Sequence, residues 1–521
     1  MKHVATSATA LVLSVLLSAA AFAQATGDYR SNGTGGGAWN AASSWQRYSG
    51  TSWVAAAAPP TGSELITVRS TDSVYVNAAV SVTGTLQNQG KLGGASNLTI
   101  ASGGVFRHDQ DGGSIPRATW AAGSTLLLTG VTSAAPDNRS QSFHHVTFDT
   151  PGLLANLNMA WDSITIGGDI RVLNTGSSRW YMTTALAGDS SVFTIMGDVI
   201  VSGGNFSTNG TGNANTRFVV HHYGDVLVTG GNLSISRGSQ GSGTGSTRWY
   251  LHEGDFSMSG ATTQNSNPTN AWFVFDKAGT QTLTLGAGNT LTSLPIQVAS
   301  GTTLEMGMSE VRGSGLFTLS PGAVLATGNE GGVDSAVSVT GTVSFSTEAG
   351  FTFNGTVPQV TGVSMPATVQ NLTINNAAGV ALTQPTTING VLRLMAGVFN
   401  NTIPFTLGPS GSISYEGGSL LFPVSVEAGD GGVPAEFFVE QNYPNPFNPT
   451  TEIRFGIPSA LRVRAEIFTL LGERAATLVD EVLEPGVHVI RLDATGLGSG
   501  VYLYRIQAGS RSSTHRMVLV K

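Results

Sequence analysis

Four Gly-Asp pairs, ending at Asp169, Asp198, Asp225 and Asp255, recur at a nearly constant interval. Carboxylates at so regular a spacing either shape a turn or gather a cation. As turn residues, Gly supplies the positive φ of a tight corner and Asp caps backbone N–H groups there. If the four stack on neighbouring rungs they lie ~5 Å apart and repel by about 1 kcal/mol per pair in water. A bound cation such as Ca²⁺ would relieve that repulsion. The turn reading comes first, because the glycine-rich calcium nonapeptide is absent and Asp109-Gln-Asp-Gly-Gly113 is only a fragment of a calcium loop.

A second set pairs cations with aromatics: Arg179-Trp180-Tyr181, Arg217-Phe218, Arg248-Trp249-Tyr250 and Trp272-Phe273. Stacked inward, such rings build a core. Turned outward, Trp180, Trp249 and Trp272 would form a platform for sugar rings with arginines at the rim. The inward stack is the plainer reading, but neighbours in a strand point to opposite faces, so one ring of each pair is expected outside. The histidines His144-His145, His221-His222, His108 and His252 read as surface or turn residues, since paired strand neighbours cannot chelate one ion. No Gly-x-Ser-x-Gly elbow, His-Glu-x-x-His helix or phosphate loop is present. No catalytic residue, resident cofactor or metal ligand is assigned. An enzyme reading survives as a polysaccharide lyase or glycosidase, for which Asp276-Lys277 and Glu305 to Arg312 supply acidic and basic groups without a marked acid–base pair.

The elements that carry these residues are short strands. From residue 61 to 425, runs such as Val74-Tyr-Val76, Leu98-Thr-Ile100 and Leu126-Leu-Leu128 are cut off by Gly, Asn or Ser, and no helical periodicity appears. Phe193-Thr-Ile-Met-Gly-Asp-Val-Ile-Val201 is answered by Val219-Val-His-His-Tyr-Gly-Asp-Val-Leu-Val228. A repeat of about 28 residues built from strands and turns is one rung of a solenoid, and about thirteen rungs would make a rod about 60 Å long. The expected fold is all-β, with a body resembling the right-handed parallel β-helix of bacterial surface proteins. Composition agrees: charged residues are 11%, Gly is 68 of 521, hydrophobic residues are 40% and Cys is absent. A net charge of −7 with no basic cluster argues against a nucleic-acid partner.

Before the body, residues 24–60 hold Trp39, Trp45, Tyr48 and Trp53 among Gly, Asn and Ser, which suits a cap over the first open rung. Residues 1–23 have a basic start, an apolar core and Ala21-Phe22-Ala23, the pattern of a signal peptide cut by signal peptidase after inner-membrane export.

Beyond a linker expected at 426–435, residues 436–521 change character. Tyr443-Pro444-Asn445-Pro446-Phe447-Asn448-Pro449 is too proline-rich for a helix or a central strand. Period-two runs follow at Ile453/Phe455/Ile457, Val463/Ala465/Ile467 and Tyr502/Tyr504/Ile506, giving an antiparallel sandwich of roughly seven strands. This opening, the Gly500-Val501-Tyr502 strand start and the short apolar strand ending at Lys521 resemble the type A C-terminal sorting domain of the type IX secretion system; a bare Ig-like tail module is the cousin reading. The resemblance covers about a sixth of the chain. It implies passage through the periplasm, recognition by type IX machinery and an address at the cell surface or outside the cell. The body is then expected to be a non-catalytic structural or adhesive element that touches polysaccharide.

Overall fold

The computed structural model describes residues 24–183, 190–210, 216–236, 245–265, 270–421, 424–428 and 433–521. The signal-peptide expectation on residues 1–23 and part of the expected linker lie outside these.

Alternation of buried and half-buried side chains in four-residue strands lets each strand cover a core with one face and pair through both edges. Ile66, Leu86, Phe106, Leu126 and Val146 align across successive parallel strands at an even, short interval. Ile170, Val199, Val226 and Phe256 continue the same face at a wider one. Near the end, Phe351, Leu372, Leu392 and Ile413 return to the short interval. The body is a parallel β-solenoid of about 14 turns. The longer repeat therefore belongs mainly to the middle, where two further parallel sheets run beside the first. One runs through Arg179–Thr183, Asn205–Asn209 and Asn232–Ser236; the other through Ser190–Ile195, Arg217–His222, Ser246–Leu251 and Ala271–Phe275. Shorter rungs lack the Gly-Asp signature, so the sequence pattern registers only the long ones. Helix is confined, among the described residues, to one turn at Val333–Ala336 and two 3₁₀ turns.

One continuous apolar cluster runs from Tyr29 to Leu420. At its start Tyr29–Ser31, Trp45–Tyr48 and Trp53–Ala55 form an antiparallel ribbon, and Tyr29–Ser31 also pairs in parallel with Leu65–Val68. Trp39 and Trp45 are buried against each other at 5.1 Å, with Trp45 Nε1 donating to the Trp39 carbonyl at 2.7 Å. The aromatic segment thus pairs with the first strand of the body and shares its apolar core.

The tail has its own core, including Phe447, Ile453, Phe455, Ile490, Tyr504, Ile506 and Met517. Two four-stranded antiparallel sheets enclose it. One joins Val424–Ala428, Gly486–Asp493, Thr450–Ile457 and Phe438–Val439; the other joins Arg474–Leu483, Leu461–Thr469, Gly500–Ala508 and Arg511–Leu519. The strand Val424–Ala428 corrects the expected boundary, since it pairs with the tail although its Val-Ser-Val sequence looks like another rung.

Candidate functional site

The Gly-Asp ladder is built across rungs rather than within turns. The Asp198, Asp225 and Asp255 backbone N–H groups donate to Oδ1 of Asp169, Asp198 and Asp225 at 3.0, 2.9 and 2.8 Å, and Thr282 N–H closes the series on Asp255 Oδ1 at 2.8 Å. None of the four glycines has positive φ, which corrects the turn argument. Close approach requires them instead: a Cβ on Gly224 would meet the Gly197 carbonyl oxygen at 2.2 Å, and one on Gly254 the Gly224 oxygen at 1.9 Å. Burial first, then repulsion from Asp169 and Asp225, raises the pKa of Asp198. Asp111, in the calcium-loop fragment, accepts from the backbone N–H groups of Thr132, Ser133 and Ala134 and so caps its neighbouring rung. Among the described residues no group of three or more His, Asp or Glu converges as metal ligands would.

The aromatics divide as strand alternation demands. Trp180 and Trp249 are fully buried, so neither can meet a sugar. Trp180 packs on Phe148 at 5.3 Å and donates to Thr150 Oγ1 at 3.1 Å. Trp249 stacks on Phe273 at 6.0 Å. Trp272 instead lies half-buried on the outward face, with the Arg248 guanidinium 5.7 Å from its ring centre. The same face presents Arg217, His221, Tyr250 and, just past the strand ends, Tyr223, His252 and Asp276.

On this face Asp276, His252 and His221, from three successive rungs, lie in line. Asp276 Oδ1 lies 3.0 Å from His252 Nδ1, and His252 Nε2 lies 2.8 Å from His221 Nδ1. His221 Nδ1 and His252 Nε2 share one hydrogen bond whose direction follows the tautomer, and His252 Nδ1 faces the Asp276 carboxylate. Tyr250 stacks on His221 at 5.7 Å, and Tyr223 lies 4.9 Å from His252. Burial and then His252 hold the His221 pKa below its usual value, and burial raises that of Asp276. The arrangement can stack a ring, donate hydrogen bonds and pass a proton. Sequence reasoning missed it because its members come from separate rungs and no local pattern joins them.

The other histidines correct the surface reading. His108 and His222 are fully buried, donating from Nε2 to the carbonyls of Gly112 and Gly197, each at 2.8 Å. His145 Nδ1 accepts from Asp169 N–H at 2.9 Å, so it is unprotonated there and its 3.6 Å approach to Asp169 Oδ2 is not an ion pair. Round the corner from Asp255, an open groove of about 690 Å³ is lined by Thr282, Asn289, Glu305, Glu310 and Arg312. Glu305 is held by Gly307 N–H at 3.1 Å and Asn354 Nδ2 at 2.8 Å, while Glu310 pairs with Arg312.

In the tail, the proline-rich opening and the last strand are one site. Phe447 N–H donates to Val518 O at 2.9 Å and Val520 N–H to Phe447 O at 3.0 Å. Asn445 accepts from Val518 N–H at 2.9 Å and donates to Arg516 O at 3.1 Å. Phe447 is the buried anchor, whereas Tyr443 is 82% exposed, and Pro444, Pro446 and Asn448 are not buried either. Pro449 O accepts from Ala494 N–H at 2.9 Å. Gly500 pairs with Leu519, Tyr502 Oη donates to Gly498 O at 3.0 Å, and Lys521 Nζ donates to Thr495 O. Two residues not singled out from sequence lock the opening: Tyr504 Oη donates to Glu440 O at 2.8 Å and accepts from Asn442 N–H at 2.9 Å, and Thr451 Oγ1 donates to Pro444 O at 2.8 Å.

No curated protein and no solved structure matches the chain. Residues 441–521 match the family model described as the secretion system C-terminal sorting domain. Such a tail implies interaction with type IX secretion machinery and export to the cell surface or beyond it. The last part of the chain is therefore a type IX C-terminal sorting domain, carried behind a β-solenoid body.

Proposed function

We propose that the solenoid is a non-catalytic, adhesive cargo that binds polysaccharide through its outward Trp272 face. The supporting observation is that Trp272, Tyr250 and His221 present ring surfaces outward beside Arg248, on a body whose other large aromatics are mostly spent in its core. Sugar rings offer C–H faces that stack on aromatic rings while their hydroxyls take hydrogen bonds from the rim. The test is retention of the full chain on a panel of immobilised polysaccharides, with Trp272→Ala compared at unchanged melting temperature. Retention lost in the variant supports the reading; no retention of the parent chain on any of them removes it.

In this reading the chain crosses the inner membrane behind a cleaved leader at residues 1–23 and reaches type IX machinery from the periplasm. Removal of residues 436–521 should leave the protein in the periplasm, and arrival of the truncated chain at the surface would refute the role given to the tail.

A second reading, a carbohydrate-active enzyme, is favoured by the Asp276–His252–His221 line and by the groove holding Glu305 and Glu310. New reducing ends or unsaturated products in the same incubations would replace adhesion with lyase or glycosidase chemistry.

A further inference from the structure

The outward face of the Arg217–His222, Ser246–Leu251 and Ala271–Phe275 strands carries a charge pattern that narrows the ligand, granted the adhesive reading above. Arg248 pairs in register with Val219, so Arg217 lies two residues along the adjacent strand, about 8 Å away at ordinary strand spacings. Arg217 is exposed, and Arg248 is half-buried with Nη1 donating to the Thr247 and Asn270 carbonyls at 3.3 and 3.1 Å.

Several arginines elsewhere on the body are matched with acids: Arg69 with Asp72, Arg107 with Asp109, Arg171 with Asp169, Arg312 with Glu310 and Arg393 with Glu416. Among the described residues Arg217 and Arg248 have no carboxylate partner. Burial, and after it the charge of Arg217, lowers the Arg248 pKa from its ordinary value despite the opposing influence of Tyr250. The exposed acids Asp225, Glu253 and Asp255 lie past the opposite ends of these strands, and Asp276 is engaged by His252. The face thus has a cationic end, an acidic corner and rings between. In a chain of net charge −7, two neighbouring guanidiniums with no carboxylate partner among the described residues are an arrangement that a neutral glycan would not require.

We propose that this face binds an acidic polysaccharide: Arg217 and Arg248 take carboxylates of successive uronate sugars, and Trp272 and Tyr250, on the side of Arg248 away from Arg217, take the ring faces of the sugars that follow. The planar guanidinium fork fits a carboxylate with two parallel hydrogen bonds, and partial burial beside Trp272 protects that contact from solvent screening.

The experiment compares the full chain's affinity for polygalacturonate, for the same polymer with its carboxyls methyl-esterified, and for double-stranded DNA. Tighter binding of the free acid is expected, with Arg217→Gln and Arg248→Gln each weakening it by about tenfold and leaving the esterified polymer unaffected. Both substitutions are outward, and an unchanged melting temperature verifies the fold. Equal binding of acid and ester, both lost in Trp272→Ala, overturns the acidic assignment and leaves the adhesive reading standing. DNA binding as tight as that of the acid overturns it in favour of a general polyanion surface. Binding of none of the three polymers overturns this inference, and the adhesive reading then falls or stands on the wider polysaccharide panel.

Discussion

His222 gives the body a defined acid sensitivity. Its imidazole is fully buried, Nε2–H donates to Gly197 O at 2.8 Å, and Nδ1 faces the indole N–H of Trp249 at 3.4 Å. A second proton would have to enter at Nδ1, against a donor and away from water. Burial accordingly lowers its pKa from 6.5 to about 4. Above pH 6.5 the ring is neutral in folded and unfolded chains alike, so it adds no pH dependence. Between pH 6.5 and about 4 only the unfolded chain binds the proton, and stability falls as pH falls. Below about 4 both states bind it and the loss is complete. A shift of about 2.5 pH units corresponds to about 3 kcal/mol. The assay is urea unfolding followed by tryptophan fluorescence at pH 7.5, 5.5 and 4 for the parent chain and His222→Gln. The variant should be the less stable at pH 7.5, having lost packing, and the gap should shrink by about 3 kcal/mol at pH 4 because only the parent titrates at this position. Contributions from His108 and Asp198 are common to both chains and cancel. An equal gap at pH 7.5 and pH 4 would refute the argument.

The other predictions concern packing, the corner ladder and the tail. Trp180→Ala should cost about 3–5 kcal/mol, whereas Trp272→Ala should leave the melting temperature nearly unchanged while weakening glycan retention. Gly224→Ala forces a Cβ into the Gly197 carbonyl and should cost about 1–3 kcal/mol by denaturant titration; Gly498→Ala, with open space at its Cβ, serves as the neutral control. Tyr504→Phe strands the Asn442 N–H and the Glu440 carbonyl and should destabilise the tail by about 1–3 kcal/mol, with less protein exported. If Ca²⁺ settles on the Oδ2 atoms of Asp198, Asp225 and Asp255, calcium will raise the melting temperature; a melt identical in calcium and in EDTA removes the ion.

The tail was legible because period-two alternation, proline clusters and turn glycines are local signals. Strand alternation also established that Trp249 and Tyr250 face apart. Which of them turns inward depends on the partner rungs, where Phe273 and His222 supply the packing for Trp249. The buried histidines went unread because each is held at Nε2 by a backbone carbonyl that no motif connects to it. The strand at Val424–Ala428 reads as part of the body because its partner, Gly486–Asp493, lies well beyond it in the chain, inside the tail.

The corner ladder has a consequence for how such a chain changes length. Asp198 and Asp225, inside it, each accept from the next rung and donate to the one before in the same way, so these rungs are interchangeable there. Excise the stretch from Val199 to Asp225, and Asp255 N–H would find Asp198 Oδ1 where it had found Asp225 Oδ1. Whole rungs can in that way be duplicated or lost in frame, with the aromatic segment still at one end and the sorting domain still following the other. The length of the solenoid is thus a property that can drift in discrete steps while the sorting domain behind it stays the same.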